Sequence, residues 1–368
     1  MPSTTCLDDL EVIRKIDKKD MLSSCIDAFK HYEEAALLAK KVILDFAKPQ
    51  NIIVAGMGGS AVGGELLKDW AEDRIAVPIE VCRSYLLPAY ANERTLVFVV
   101  SYSGETEESL SVFLDALKRG CMVVCITSGG SLKQYAKKLS VPHLVVPAGM
   151  APRAALPYLF LPLLVFLEKL SMVSGVTLEI AEAVKVLKVV SSENSPKKPL
   201  NGNFSKTLAS AVNGTVPVVY GFGCYRGVAQ RFKTQFNENS KVPAKWEFFS
   251  ELNHNEIVGW EYMGKMAKHF SLIFIRDAEE PPEIRTRIEF TEKLLHEKHL
   301  RIFEVQSMGK NRLSRMCSTI SIGDFTSVYL AVLRGVDPTP VKTISLLKDR
   351  LLESGLKNKV LRELQSLS

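Results

Sequence analysis

The stretch Asn51-Ile-Ile-Val-Ala55-Gly56-Met-Gly58-Gly59-Ser60-Ala61-Val-Gly-Gly64 decides the fold. A short β-branched run enters a glycine turn, and a helical pattern over 61–72 leaves it, giving strand, turn and helix in that order. Downstream, strand-like runs recur at Val77–Val81, Thr95–Val100, Met122–Ile126 and His143–Val146. Helical patterns at 105–118 and 130–139 separate most of them. Strands alternating with helices of that length predict an α/β domain built on a parallel sheet covered on both faces.

Residues 7–47 read as helix throughout, because Leu, Ile and Ala recur every three or four positions among charged residues. A second helical region runs from Ala151 to about Val190, and SSENSPKKPLNGNFSK at 191–206 reads as a linker. Beyond it the first pattern restarts. Val216-Pro-Val-Val-Tyr220 runs into GFGCYRG, Ser271-Leu-Ile-Phe-Ile-Arg276 answers the run at Thr95, and Arg301-Ile-Phe-Glu-Val305 answers Cys121-Met-Val-Val-Cys125. Offsets of about 165 to 180 residues indicate a tandem duplication rather than a short-period repeat. The expected organisation is 1–190 (N-terminal helices plus a first α/β domain), the linker 191–206, and 207–368 (a second such domain closed by helices near 339–354 and 357–367).

Gly56-Met-Gly58-Gly59-Ser60-Ala61 fits G-x-G-x-x-A, and Glu80 stands where a ribose-binding acid would be sought, so a dinucleotide oxidoreductase has to be weighed. A glycine turn opening a helix accepts any phosphate, however, because free N–H groups and the helix dipole favour an anion. The run after Val100 bears on the choice: Ser101-Tyr-Ser103-Gly-Glu-Thr106-Glu-Glu. An N-cap accounts for one of its hydroxyls but not for Ser60, Ser101, Ser103 and Thr106 together. Neighbouring strand ends converge on one crevice, so these hydroxyls and the backbone N–H groups describe a phosphate-monoester cage. A dinucleotide has no need of the second hydroxyl-rich turn.

GMGGSA, SYSGETEE, Ala151-Pro-Arg153-Ala-Ala-Leu, Asn237-Glu238-Asn239 and Glu251-Leu-Asn-His254-Asn-Glu-Ile together resemble the archaeal-type bifunctional phosphoglucose/phosphomannose isomerases of the sugar isomerase (SIS) domain superfamily. The resemblance spans roughly residues 50–350, in order. It implies two tandem SIS domains, each a doubly wound, flavodoxin-like parallel sheet with flanking helices. It also implies interconversion of glucose 6-phosphate and mannose 6-phosphate with fructose 6-phosphate through a cis-enediol. By the same resemblance Gly58, Gly59, Ser60, Ser101, Ser103 and Thr106 hold the substrate phosphate, and Glu238 moves a proton between C1 and C2. His254 opens the sugar ring, reaching in from the neighbouring subunit of a homodimer. Arg153, permanently cationic and planar, suits a developing enediolate oxygen. A lysine near the C-terminus assists ring opening; Lys348 is preferred over Lys342, and Thr339 and Thr343 compete for a role in epimer tolerance. The chain is longer than compact members of the family.

Neither metal nor organic cofactor is expected. His296-Glu-Lys-His299 lacks zinc-protease spacing and reads as a solvated helix face. The 368 residues, 46% hydrophobic and 24% charged, exclude disorder and fibrous repeats. The formal charge of +6 is too diffuse for a nucleic-acid stripe yet suits a small anion. Seven scattered cysteines without a CxxC pair read as buried, reduced thiols of a cytosolic protein. The N-terminus has no apolar secretory core, and Ala154–Leu167 is too short to span a bilayer, so no membrane partner is expected. A non-catalytic SIS module that senses a sugar phosphate remains an alternative; it would keep the hydroxyl turns but have no use for Glu238 with His254.

Overall fold

A computed structural model describes residues 4–367. The chain divides into two compact units, each made of discontinuous segments. One joins Lys30–Leu178 to Val341–Ser368; the other joins the segment ending at Phe29 to Glu179–Pro340. The contiguous division expected from the sequence differs from this at both ends. The earliest helices belong with the second sheet, and the closing helices belong with the first. The stretch 191–206 also departs from a solvated linker. The helix Val176–Asn194 runs into it, the helix Phe204–Val212 starts inside it, and Asn203, Ser205 and Lys206 are buried. Lys206 Nζ donates to Asp8 Oδ1 (2.9 Å) and to the carbonyls of Pro196 (2.9 Å) and Lys198 (2.8 Å), which satisfies its buried charge.

In the first unit, β1 (Asn51–Ala55), β2 (Ile79–Cys82), β3 (Thr95–Val100), β4 (Met122–Thr127) and β5 (His143–Val145) form one all-parallel sheet in the order β2-β1-β3-β4-β5. The central strands β1, β3 and β4 read as continuous apolar runs because both their faces are covered. Ile53, Ala55, Val97 and Val99 pack on the same side as Leu110 and Phe113 of the helix Glu107–Lys118. Leu132 of Gly130–Lys138 and Val360 and Leu364 of Leu356–Ser366 join that cluster. On the other side Phe98 stacks on Phe166 of the helix Leu156–Lys169, at 6.1 Å between ring centroids. The helix Gly59–Ala71 comes so close to Leu156–Lys169 that a Cβ at Gly63 would stand 2.8 Å from the carbonyl oxygen of Leu159.

In the second unit, β6 (Val216–Phe222), β7 (Lys245–Phe249), β8 (Phe270–Arg276) and β9 (Arg301–Gln306) are again all parallel, in the order β7-β6-β8-β9. This repeats the order of β2-β1-β3-β4, so the duplication seen in the sequence is a duplication of topology. The helix Arg312–Leu333 is long and apolar enough to cross a membrane, but its apolar window is 94% buried in the protein. The expected N-terminal helix breaks into Leu10–Ile16, Met21–Ile26 and Ala28–Lys40, and 41–50 is not helical. Asp17 causes one interruption, its carboxylate accepting from the N–H groups of Met21 (2.8 Å) and Leu22 (2.9 Å). Asp20, left-handed at φ 53°, caps the next helix by accepting from Ser23 N–H.

Candidate functional site

In a 2-1-3-4-5 sheet the chain leaves β1 and β3 in opposite directions, which opens a crevice between their carboxyl ends. The two hydroxyl-bearing turns stand there: Gly56–Ser60 follows β1 and Ser101–Thr106 follows β3. Gly58 precedes the helix Gly59–Ala71 with a φ of 52°, a conformation that costs glycine little. Ser60 and Ser101 are buried, Thr106 is half-buried, and Ser103 is exposed. The backbone N–H of Tyr102 donates to Ser60 Oγ (3.3 Å), tying one turn to the other. Ser101 Oγ donates to Thr106 Oγ1 (3.1 Å) and accepts from Gly104 N–H (3.2 Å). Thr106 occupies the N-cap of Glu107–Lys118, yet its side chain makes no capping bond to that helix.

Arg153 belongs to the same corner. It is only 3% exposed, and a Cβ at Gly59 would lie 3.2 Å from its backbone nitrogen and Cα. Tyr102 arranges this approach. Its hydroxyl donates to the Pro147 carbonyl and accepts from Met150 N–H, both at 2.9 Å, anchoring the segment that leads to Arg153. Burial pushes the Tyr102 phenol above its usual range, partly offset by the Met150 N–H, so it stays a neutral donor and acceptor at physiological pH. Tyr102 is not among the residues expected from the sequence, although an aromatic between two hydroxyl residues in a polar turn is a legible signal.

The Ser101–Thr106 turn also leans on the turn before Gly130–Lys138. Leu132 N–H donates to the Gly104 carbonyl (3.0 Å), and Gly104, at φ 69°, passes so near Gly129 that a Cβ would lie 1.9 Å from its carbonyl oxygen. Gly104→Ala is therefore expected to destabilise the protein by about 1–3 kcal/mol from backbone strain alone, before the clash is counted. Calorimetric unfolding measures this, and a wild-type melting temperature would contradict so tight an approach.

The remaining residues singled out from the sequence belong to other elements. Glu238 and His254 are in the second unit. Glu238, half-buried, sits in a single π-turn, Phe236–Ser240, that extends the helix Arg226–Gln235. Such turns are rare and recur at functional positions. Asn237 Nδ2 donates to the Val242 carbonyl (2.8 Å) and Asn239 Nδ2 to Ser327 Oγ (2.9 Å), so both flanking side chains serve to hold the turn. His254 is exposed at the end of the short 3₁₀ helix Glu251–His254. The N-cap beside it is Asn255, which accepts from Glu256 N–H, and the Asn253 amide donates to Thr291 Oγ1 (2.9 Å).

Glu238 precedes β7 and His254 follows it, so within one chain they stand at opposite ends of the second sheet. The length of β7, roughly 15 Å, lies between these ends. Lys348 and its competitor Lys342 share the helix Lys342–Leu352 of the first unit, where both are exposed and no residue is buried. Glu80 lies two residues before the end of β2 and accepts a hydrogen bond from Tyr90. The strand end, where a ribose-binding acid would be needed, is occupied by Cys82. His296 faces Glu292 along its own helix at 3.6 Å. All seven cysteines are free thiols.

Comparison with known proteins shows the family. Residues 201–351 match the model of the bacterial phospho-glucose isomerase C-terminal SIS domain. A bifunctional phosphoglucose/phosphomannose isomerase from Caldicellulosiruptor bescii is 41% identical over 303 residues, covering 82% of this chain and 89% of that protein. One of the same description from Aquifex aeolicus is 34% identical, covering 83% and 92%. Among solved structures, a hypothetical protein from Thermus thermophilus superposes with a TM-score of 0.74 over 94% of each chain at 16% identity, a likeness of fold.

Proposed function

Because the chain belongs to the bifunctional phosphoglucose/phosphomannose isomerases, we propose that it interconverts glucose 6-phosphate and mannose 6-phosphate with fructose 6-phosphate. The observation that carries this reading is the pair of hydroxyl-bearing turns flanking the switch point of the first sheet. Ser60, Ser101, Ser103 and Thr106, with the N–H groups of Gly58 and Gly59, take the phosphate. Holding that unreactive end fixes C1 and C2 for the proton transfer.

Glu238 serves as the base. It takes the C2 proton of the aldose and returns it to C1 on the same face of a planar cis-enediol. Arg153 hydrogen-bonds the oxygen that gains charge as the enediolate forms. His254 moves the ring-oxygen proton during opening, helped by Lys348 or Lys342 from the closing helices. No metal or organic cofactor takes part.

The reading includes a homodimer in which His254 acts on the neighbouring copy's substrate. Two observations support it. Glu238 and His254 of one chain stand at opposite ends of a sheet. The segment after His254 carries Val258, Tyr262 and Met266 at 58%, 95% and 60% exposure, apolar area that a second copy would cover. A cytosolic location is also part of the reading, supported by the free thiols.

Purified protein given fructose 6-phosphate in the presence of a chelator is expected to form both glucose 6-phosphate and mannose 6-phosphate, at the rate seen without chelator. Loss of activity in chelator with recovery on adding zinc would overturn the metal-independent part of the reading. Phosphate-ester binding without turnover would favour the sensor module instead.

A further inference from the structure

Glu105 sits inside the phosphate turn, next to Thr106 and two residues from Ser103, where a carboxylate should repel a phosphate dianion. Two groups hold it. Its carboxylate accepts from Ser131 N–H (2.6 Å) and Ser131 Oγ (3.0 Å) at the start of the helix Gly130–Lys138, and Lys357 of the helix Leu356–Ser366 forms an ion pair with it. Lys357 is well sequestered, its side chain 18% exposed against 40% for Glu105. Its helix is fixed in place: Val360 and Leu364 are buried against the first sheet's helices, Tyr135 Oη donates to the Leu361 carbonyl (3.2 Å), and Lys118 pairs with Glu363.

We propose that Lys357 is a positioning residue of the phosphate site. It neutralises Glu105 and so lets the Ser101–Thr106 turn take a dianion while Glu105 keeps that turn fastened to Ser131. The ionised state of Glu105 agrees with this. Burial would raise its carboxyl, but the Lys357 ammonium and the Ser131 donors outweigh burial and hold it below the usual carboxylate range. The closing helix, distant in sequence from the glycine turn, thus becomes part of substrate affinity. This proposal rests on the phosphate reading of the two turns and is separable from the isomerase chemistry.

The test uses the full chain with Lys357→Met, Lys357→Arg, Glu105→Gln and the double variant Lys357→Met/Glu105→Gln. Lys357→Met is expected to raise KM for fructose 6-phosphate about five- to tenfold, the effect of one uncompensated charge near a dianion, with kcat within twofold of wild type. Inorganic phosphate, measured as a competitive inhibitor and by calorimetric titration, should weaken by the same factor. Lys357→Arg should restore both values. The double variant should also recover most of the affinity, because removing the carboxylate removes the repulsion; a purely structural lysine would show no such recovery. Unchanged KM and phosphate affinity in Lys357→Met, or a double variant as weak as Lys357→Met, would overturn the proposal. If the wild-type protein bound phosphate but turned over no sugar, the isomerase reading would fail while the phosphate titrations still decided the role of Lys357.

Discussion

Glu238→Gln is expected to lower kcat for fructose 6-phosphate by about 10²- to 10⁴-fold, the range for removing a positioned general base, while KM and melting temperature stay near wild type. The structural reason for intact folding is local. The π-turn is held by Asn237 Nδ2 on the Val242 carbonyl, Asn239 Nδ2 on Ser327 Oγ and Lys241 Nζ on the Pro338 carbonyl (2.9 Å), and glutamine keeps the side-chain length and one acceptor oxygen of Glu238. An amide of the same shape keeps the turn but cannot accept the substrate proton. Near-wild-type turnover in Glu238→Gln would remove Glu238 from the mechanism.

The same variant probes the origin of His254. Chains carrying Glu238→Gln alone and His254→Ala alone should each be nearly inactive. If the protein is a dimer in which His254 acts on the neighbouring copy's substrate, heterodimers formed by dissociating and reassociating the two together carry both defects in one site and neither in the other. Random pairing of two such chains should then recover about a quarter of wild-type activity if His254 crosses the interface of a two-fold dimer. No recovery is expected if each chain supplies both residues to its own site.

The first sheet was largely legible in the sequence. Its central strands β1, β3 and β4 are buried on both faces, so they appear as unbroken apolar runs, and the glycine turn after β1 marks the reversal into a helix. The duplication was legible for the same reason, since Val216–Phe222 and Phe270–Arg276 are central strands of the second sheet. β7 was not found. It is an edge strand reading Lys245-Trp-Glu-Phe-Phe249, mostly half-buried, with no β-branched residue and no clear alternation. Nor did the sequence show which sheet a helix would cover. An apolar stripe says that a helix buries one face but not against what, so the sequence alone groups the N-terminal and C-terminal helices with their neighbours in the chain. The hydroxyl turns could be read because their residue types are unusual at strand ends. Lys357 could not, because its meaning depends on Glu105, two hundred and fifty-two residues earlier.

Asp324→Ala is expected to destabilise the second unit strongly. Arg231, 2% exposed on the helix that leads into the Glu238 turn, donates to Asp324 through Nε (3.0 Å) and Nη2 (2.7 Å), a bidentate pairing. Gln235 Nε2 donates to the same carboxylate (2.9 Å), so Asp324 of the core helix Arg312–Leu333 fixes two successive turns of Arg226–Gln235. Replacing both charges by well-packed apolar side chains could be nearly neutral, but removing the anion alone leaves a guanidinium in a site that water reaches poorly. Losing these two charge-assisted hydrogen bonds costs about 3–5 kcal/mol, at roughly 1.5–3 kcal/mol each. Urea unfolding should therefore show a lowered midpoint, whereas Asp324→Glu should recover part of the loss. Because the helix it anchors carries Glu238, the fraction of Asp324→Ala that remains folded should also turn over more slowly, since displacement by about an ångström misplaces a base. A stability within about 1 kcal/mol of wild type, well short of that cost, would show that Arg231 is compensated by other groups and that Asp324 does not fix the Glu238 turn.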